Sequence, residues 1–108
     1  MSEFQMNCLT MLLKIPKGKV TTYQELAHAL GTRAYRAVGT AMAKNEFLGK
    51  YPCYKVIRTN GDVGEYAGEQ PKKIQLLEKD GIVIKNKKVQ NLKQVLYLSL
   101  IHISEPTR

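Results

Sequence analysis

The spacing of apolar residues near the start of the chain predicts a helix with one buried face. Ser2 stands three residues before Gln5, which is the spacing of a helix-capping pair, and the helix is predicted over residues 3–14. Its apolar side chains recur at helical spacing and are Phe4, Cys8, Met11 and Leu12. This pattern assigns Cys8 to the hydrophobic core.

A second and a third helix are predicted on either side of a short turn. The capping pair Thr22 and Glu25 opens a helix that we expect to run to about Leu30, where Gly31 ends it. The next helix, predicted over residues 33–44, is rich in alanine. Two helices joined by a short glycine-containing turn form the outline of a helix-turn-helix. Small residues let the later helix approach another surface closely, and that surface is either nucleic acid or a neighbouring helix.

Short extended segments alternate with turns in the second half of the chain. The apolar runs at residues 56–58 and 63–64 flank a turn signal at residues 59–62, which predicts a hairpin. A terminal hairpin is predicted over residues 82–89, with its turn at Asn86. An earlier extended piece, at residues 19–21, leads into the second helix.

One more helix is predicted between the two hairpins. It begins at Gln70, with Pro71 at its first position, and ends at Asp80 and Gly81. Its apolar side consists of Ile74, Leu76 and Leu77. A chain of 108 residues suits one hydrophobic core, so the pattern as a whole predicts a single α+β domain that is mostly helical.

The charge balance points to a polyanionic partner. Seventeen basic residues against nine acidic ones give a net charge of +8, for which nucleic acid is the first candidate and a merely basic soluble protein the alternative. No apolar run approaches the roughly 20 residues of a membrane span, and the start of the chain lacks a signal-peptide pattern. Two cysteines are too few for a disulfide scaffold and lack zinc-site spacing, so we expect no metal and an intracellular location.

A candidate nucleophile lies in residues 52–56, which read Pro-Cys-Tyr-Lys-Val. The proline stiffens the backbone that presents Cys53. Lys50, Lys55 and Arg58 are close in sequence, and nearby positive charge favours the reactive thiolate. An isolated cysteine is also often a small buried hydrophobe, and this segment alone leaves both interpretations open.

Several separated motifs, in this order, resemble the catalytic domain of the O6-alkylguanine-DNA alkyltransferases, also called methylated-DNA–protein-cysteine methyltransferases. Residues 52–56 match the family's Pro-Cys-His-Arg-Val motif. Asn45 stands eight residues before Cys53, as the family's hinge asparagine stands before its nucleophile. The segments that resemble the family's helix-turn-helix entry, recognition helix and active-site loop are residues 15–23, 36–39 and 64–68.

The resemblance implies a winged-helix-like DNA-binding fold and a single-turnover reaction without a cofactor. Cys53 is implied to attack the alkyl carbon of O6-alkylguanine in double-stranded DNA and to keep the group as a thioether. Tyr23 is implied to donate its hydroxyl towards the base, and Asn45 to act as the hinge. The backbone carbonyls of Cys53 and Val56 are implied to read the exocyclic amine, while Met42 supplies an apolar wall.

The resemblance also implies how DNA is bound. The helix-turn-helix enters the minor groove, and Arg36 fills the space of a guanine that is flipped out of the duplex. The loop residues Tyr66, Ala67 and Gly68 are implied to offer backbone N–H groups to the O6 oxygen. The other candidate DNA-binding residues are Thr22, Tyr35, Ala37, Gly39 and Lys44. We expect a monomer, with clustering of copies on DNA as the alternative.

Two positions near the nucleophile depart from the family's pattern. Tyr54 replaces the histidine that takes the thiol proton through a water, and Asp80 replaces the glutamate that orients this histidine. Neutral tyrosine has a pKa near 10 and is a poor base at pH 7. A tyrosine–water–carboxylate relay can still be drawn, so we expect a transferase that is slower or shifted to higher pH, with loss of transfer as the alternative. Ala67 also replaces the usual loop serine, and Tyr35 places a bulky ring just before Arg36.

Two other functions fit the same residues. Alkyltransferase-like proteins bind alkylated DNA but lack the nucleophile, so Cys53 argues against that class while Tyr54 leaves lesion binding without transfer open. The third hypothesis is a DNA-binding regulator with a structural cysteine, which recognises a defined sequence and ignores alkylated guanine.

The last residues fall outside the family's pattern. We assign residues 1–97 to the alkyltransferase domain, without the family's variable N-terminal domain, and residues 98–108 to a separate tail. The tail resembles the translation of a sequencing-adapter read-through, and we interpret it as an artefact in which His102 carries no function. The alternative is a native terminal strand or helix.

Overall fold

A computed structural model describes residues 2–66 and 70–97. Its α-helices are α1 (Glu3–Met11), α2 (Tyr23–Ala29), α3 (Tyr35–Ala43), α4 (Gln70–Lys79) and α5 (Leu92–Val95). Its strands are β1 (Thr21–Thr22), β2 (Val56–Ile57), β3 (Ile84–Lys85) and β4 (Lys88–Val89), and 3-10 turns cover Leu12–Lys14 and Cys53–Lys55. The predicted α+β fold, dominated by helix, is confirmed. Among the described residues, no helix has the length and hydropathy of a membrane span.

Both predicted capping pairs form hydrogen bonds at the helix starts. The Ser2 hydroxyl accepts a hydrogen bond from the Gln5 N–H at 3.0 Å, and the Thr22 hydroxyl accepts one from the Glu25 N–H at 3.0 Å. Each bond satisfies one of the N–H groups that a helix leaves without an internal partner. Gly31 follows α2 with φ +76°, the left-handed geometry that ends many helices. The predicted bounds of α2 are confirmed to within one residue, whereas the α-helix predicted over residues 3–14 ends at Met11 and continues as a 3-10 turn to Lys14.

The hydrophobic core has two parts. One is formed mainly by α1, α2, α3 and the segment around Cys53, and the other by β2, α4 and the terminal hairpin. Cys8 is fully buried in the first part, as predicted. Its burial raises the pKa of the thiol to about 11, so this cysteine stays protonated at physiological pH.

A short parallel pairing connects the helix-turn-helix to the nucleophile segment. Thr21 lies opposite Val56, and Thr22 lies opposite Ile57. Helix α2 begins directly after β1 and the Cys53 turn directly precedes β2, so Tyr23 and Cys53 are attached at opposite ends of this parallel pair. On the other edge of β1, the N–H and carbonyl groups of Val20 bond to the residue 95 carbonyl and the residue 97 N–H.

The predicted hairpin around residues 59–62 is wrong in its strand pairing. The turn itself forms, since the Arg58 N–H donates to the Asp62 carbonyl at 2.9 Å. Val56 and Ile57, however, pair with β1, whereas Asp62 pairs with Lys88. Val56 and Ile57 are both fully buried, which is the pattern of a short parallel strand covered on both faces rather than of a half-exposed hairpin.

The terminal hairpin is confirmed, and one helix was not predicted. Ile84 pairs with Val89 in antiparallel register, and Asn86 and Lys87 both have positive φ, as a tight two-residue hairpin turn requires. Helix α5 spans a single turn, which is too short to show helical periodicity. The predictions for Ala67, Gly68 and the tail at residues 98–108 lie outside the described residues.

Two glycines allow a matched test of backbone conformation. Gly31 has φ +76° and Gly39 lies within α3, and a Cβ at either position meets no atom within 4 Å. We expect Gly31→Ala to destabilise the fold by about 1–2 kcal/mol, because Gly31, unlike Gly39, has a left-handed backbone, which is unfavourable for a residue with a Cβ. Gly39→Ala is expected to stabilise by about 0.5–1 kcal/mol, because alanine favours helix. Urea unfolding of both variants measures this, and changes of the same sign would contradict it.

Candidate active site and DNA-facing cleft

The candidate nucleophile lies in a small enclosed pocket. Cys53 begins a 3-10 turn directly after Pro52 and is only 4% exposed. The pocket has a volume of about 20 Å³ and is lined by Tyr23, Gly39, Met42, Ala43, Cys53, Glu65 and Tyr66. Four side chains predicted from separate motifs therefore meet here, namely Tyr23, Met42, Cys53 and Tyr66.

An open cleft adjoins this pocket. It has a volume of about 650 Å³, within the range of roughly 300–1,000 Å³ that is common for ligand sites. Five lining residues are shared with the small pocket, and four belong to the cleft alone: Tyr35, Arg36, Thr40 and Arg58. The nucleophile thus lies at the inner end of a cleft that has two arginines on its walls.

Asn45 fixes the loop between α3 and the nucleophile. It is buried, and its side-chain amide donates to the Tyr51 carbonyl at 3.0 Å. Its side-chain oxygen accepts from the Phe47 N–H at 2.8 Å. Both bonds lie within the segment that precedes Pro52, so Asn45 determines how the chain passes from α3 to Cys53. This geometry suits the predicted hinge.

Tyr23 is held as a hydrogen-bond donor. Burial raises the pKa of its hydroxyl to about 12, and the neighbouring Cys53 and Glu65 charges contribute in the same direction. The hydroxyl therefore stays protonated at physiological pH, and it donates a long hydrogen bond of 3.5 Å to the Glu65 carbonyl. A protonated phenol in this pocket has the chemistry that the predicted donor role needs.

Tyr54 and Asp80, the two departures from the family's pattern, contact each other. The Tyr54 hydroxyl donates to Asp80 Oδ2 at 2.7 Å. Burial raises the pKa of Tyr54, and the hydrogen bond to the carboxylate raises it further. The Tyr54 proton is thus directed at Asp80, and the pair supports a donor rather than a base next to Cys53.

The lysines that the sequence places near Cys53 make other contacts. Lys55 is buried and its ammonium donates to the Ile15 carbonyl at 2.8 Å, while burial lowers its pKa. Lys50 lies over the ring of Tyr51, 5.3 Å from the centroid.

The predicted DNA-contacting residues divide into two groups. Tyr35, Arg36 and Gly39 border the cleft, and Tyr35 is a surface residue whose hydroxyl lies 3.1 Å from His28 Nε2. Ala37 and Lys44 line a different concavity against the start of α1. Thr22 is buried and its hydroxyl serves the cap of α2.

Sequence reasoning missed Lys73 altogether. This lysine is fully buried on α4, and its ammonium donates to the Val56 carbonyl at 2.6 Å and to the Glu65 carbonyl at 2.7 Å. The available signal was its position four residues before Leu77, on the face of α4 that the apolar pattern already marked as buried. Of the other pocket residues, Glu65 belongs to the segment that resembles the family's active-site loop, whereas Thr40 and Ala43 had no comparable signal.

Comparison with known families decides the relationship. The sequence model described as "6-O-methylguanine DNA methyltransferase, DNA binding domain" matches residues 3–82. The chain belongs to this family. Its members act in the repair or binding of alkylguanine in DNA, and the predicted resemblance is confirmed.

Curated relatives of this methyltransferase-family chain are longer than it is. It is 43% identical over 81 residues to the methylated-DNA–protein-cysteine methyltransferase of Saccharolobus solfataricus, covering 75% of this chain and 52% of that protein. It is also 43% identical over 81 residues to a bifunctional methyltransferase/endonuclease of Picrophilus torridus, covering 74% of this chain and 27% of that protein. The chain therefore spans about half, or less, of the relatives that it matches.

Solved structures in the family include DNA complexes. The S. pombe protein Atl1, in complex with damaged DNA containing O6-carboxymethylguanine, superimposes with a TM-score of 0.80 at 27% identity, covering 90% of this chain and 96% of that chain. Mycobacterium tuberculosis OGT in complex with DNA gives a TM-score of 0.71 at 36% identity, covering 74% of this chain and 50% of that chain. The chain is thus similar to Atl1 in extent, whereas its sequence identity is higher with OGT.

The Tyr54–Asp80 contact makes a prediction for stability. Tyr54→Phe removes the hydroxyl that donates to the Asp80 carboxylate. We expect this loss to lower the free energy of unfolding by about 1–3 kcal/mol near pH 7. Because the folded-state pKa of Tyr54 is raised, this contribution is complete below the ordinary tyrosine pKa of about 10 and is lost as the pH rises above it.

Urea unfolding of both proteins between pH 7 and 11 measures the difference. Tyr97→Phe removes a hydroxyl from another partly buried tyrosine and serves as the control. A loss as small as that of the control, or one independent of pH, would show that the bond contributes nothing.

Proposed function

We propose that this protein repairs DNA by irreversible transfer of an alkyl group from O6-alkylguanine in duplex DNA to Cys53. One observation carries the proposal: Cys53 shares a pocket with Tyr23, Met42 and Tyr66 at the inner end of a cleft bordered by Arg36. The family resemblance implies a role for each of these residues, and the geometry supports all of these roles at one site.

The transfer follows from the chemistry of a thiolate. The sulfur of Cys53 attacks the alkyl carbon, so that a C–S bond forms while the C–O6 bond breaks. The electron pair of the broken bond stays on the purine, which gains a proton in place of the one that the thiol lost. Tyr23, held protonated, is placed to donate towards the purine as negative charge develops on it. The thioether is not cleaved again, so each molecule reacts once.

Access to the alkyl carbon requires base flipping. The alkylated oxygen is unreachable inside a duplex, and extruding the nucleotide costs a few kcal/mol. Arg36, exposed at the cleft, would occupy the vacated place in the stack. The Val56 carbonyl accepts a bond from Lys73 and has a second lone pair for the exocyclic amine. We infer a monomer that works on DNA inside the cell, with little sequence preference and with binding that weakens as salt rises.

Lesion binding without transfer is the second candidate. Tyr54 stands where the family resemblance places a proton-accepting histidine, and its hydroxyl donates to Asp80. The match to Atl1 also covers almost the whole of that protein. Under this hypothesis the chain holds alkylated DNA tightly and Cys53 stays unmodified.

Intact-protein mass spectrometry separates the two functions. The protein is incubated with a duplex that carries one O6-methylguanine, and Cys53→Ser is treated in parallel. We expect a single adduct with the mass of one methylene unit, mapped to Cys53 and absent from the variant. Tight lesion binding without an adduct would establish the second candidate instead.

The role of Arg36 is tested by comparing two substrates. Arg36→Ala is expected to slow transfer from duplex DNA by at least about tenfold, because the side chain offsets part of the cost of unstacking. Transfer from free O6-benzylguanine needs no flipping and should change little.

Arg33→Ala is the matched control, since it removes an exposed arginine that precedes α3 and does not line the cleft. It should leave both rates within about twofold, as expected for the loss of one exposed charge. Equal losses on both substrates in Arg36→Ala would exclude the intercalating role.

A further inference from the structure

Lys73 joins the segment that follows the Cys53 turn to a residue of the pocket wall. Its ammonium donates to the Val56 carbonyl, which directly follows the Cys53–Lys55 turn, and to the Glu65 carbonyl, whose residue lines the pocket. The side chain is fully buried. Lysine is almost never fully buried unless it is paired, so a lysine at this place needs a reason.

The charges around Lys73 include the nucleophile. Burial is the largest effect and lowers the pKa of the Lys73 ammonium to about 8. Negative charge at Cys53 opposes that shift and favours the ammonium. The charged or titratable groups that face Lys73 are Cys53, Arg58, Asp62, Glu65 and, with its ring centroid 6.0 Å from Nζ, Tyr23.

This coupling is reciprocal. If a thiolate at Cys53 stabilises the ammonium of Lys73, the ammonium stabilises the thiolate by the same free energy. Cys53 also raises the pKa of Tyr23 and Tyr66, which are thereby held protonated and neutral. The two cations of this set are Lys73 and Arg58, of which Lys73 is fully buried and Arg58 is exposed.

We propose that Lys73 is the buried cation that holds Cys53 in its thiolate form. The residue acts on the sulfur electrostatically, from a position fixed by two backbone carbonyls, and so it is a positioning and activating residue for the nucleophile. Tyr54 does not supply this effect, because its hydroxyl is bound to Asp80. Lys55 does not supply it either, because the charge that acts on its ammonium is that of Asp80.

The geometry is compatible with a change in the protonation of Lys73. An ammonium has three N–H donors and a neutral amine has two, so both carbonyl bonds survive the loss of one proton. The side chain therefore stays in place across the pH range in which the thiol ionises. The benefit to alkyl transfer rests on the proposed function, but the electrostatic coupling can be measured without DNA.

The test is the pH dependence of Cys53 alkylation by iodoacetamide. The thiolate forms a C–S bond and iodide leaves, so the rate follows the thiolate fraction. Peptide mapping separates Cys53 from Cys8, and the midpoint of the rate profile is compared rather than its plateau, which depends on access. Lys73→Gln keeps an N–H donor without charge, Lys73→Met removes both, and Lys72→Gln removes an exposed charge from the same helix as the control.

We expect both Lys73 variants to raise the midpoint by at least about one pH unit, the lower end of the effect of an adjacent opposite charge. The rate near neutral pH then falls about tenfold, and Lys72→Gln leaves the midpoint unchanged. Circular dichroism verifies that the variants are folded. A folded Lys73 variant with the wild-type midpoint would falsify the proposal, because a purely structural lysine changes stability and not the ionisation of the thiol.

A second measurement decides the matter if neither Lys73 variant folds. The titration of the Lys73 side chain is followed by NMR at its Cε in the wild type and in Cys53→Ser. Loss of the thiolate should lower the Lys73 midpoint, and an equal midpoint in both proteins overturns the proposal. Failure of transfer from methylated DNA, with the iodoacetamide shift intact, would instead count against the proposed function alone.

Discussion

The site depends on a parallel pairing of only two residues on each strand. Thr21 and Thr22 lie beside Val56 and Ile57, and the segments that carry Tyr23 and Cys53 are attached directly to these strands. Helix α2 starts immediately after β1, so Tyr23 reaches the pocket from that side. The 3-10 turn with Cys53 leads immediately into β2. A shift of register by one residue would displace the segments attached to these strands by about 3.3 Å relative to each other, the rise of one strand residue.

Two buried lysines stabilise this arrangement through backbone carbonyls rather than through carboxylates. Lys55 donates to the Ile15 carbonyl, at the end of the first helical segment, and Lys73 donates to the Val56 and Glu65 carbonyls. A buried ammonium is costly unless its donors are satisfied, so each lysine requires its carbonyl acceptors to be in place. The lysines therefore make the geometry of the pocket specific even where they do not make it more stable.

The sequence is sufficient for the local parts of this structure and insufficient for the long-range ones. The caps at Ser2 and Thr22, the burial of Cys8 and the turn at Asn86 depend on a few neighbouring residues, and all are found as predicted. The meeting of Tyr54 with Asp80 was anticipated through the family's motif rather than through spacing.

The failures have one physical cause, namely that tertiary contacts override local patterns. The residue 56–57 strand carries a good hairpin signal, but its two fully buried side chains are accommodated only beside β1. From the sequence alone, Lys73 is interpreted as one more solvated charge on a basic helix. Its acceptors, the Val56 and Glu65 carbonyls, lie outside that helix and are identified only by the structure. Helix α5 has one turn, so its existence depends on what it packs against.

The hydrogen bonds of Val20, which directly precedes β1, constrain the order in which the protein folds during its synthesis. Val20 forms hydrogen bonds through both its N–H and its carbonyl group to residues 95 and 97, about seven tenths of the chain length away. The contacts of α1 with α3 and of α2 with α3 join segments that are synthesised early, whereas closing so long a loop must wait for its last residues. When Cys53 has been synthesised, residues 95–97, which bond to Val20 beside β1, have therefore not yet been made. The surroundings of Cys53 are therefore completed by a late segment that lines neither the pocket nor the cleft.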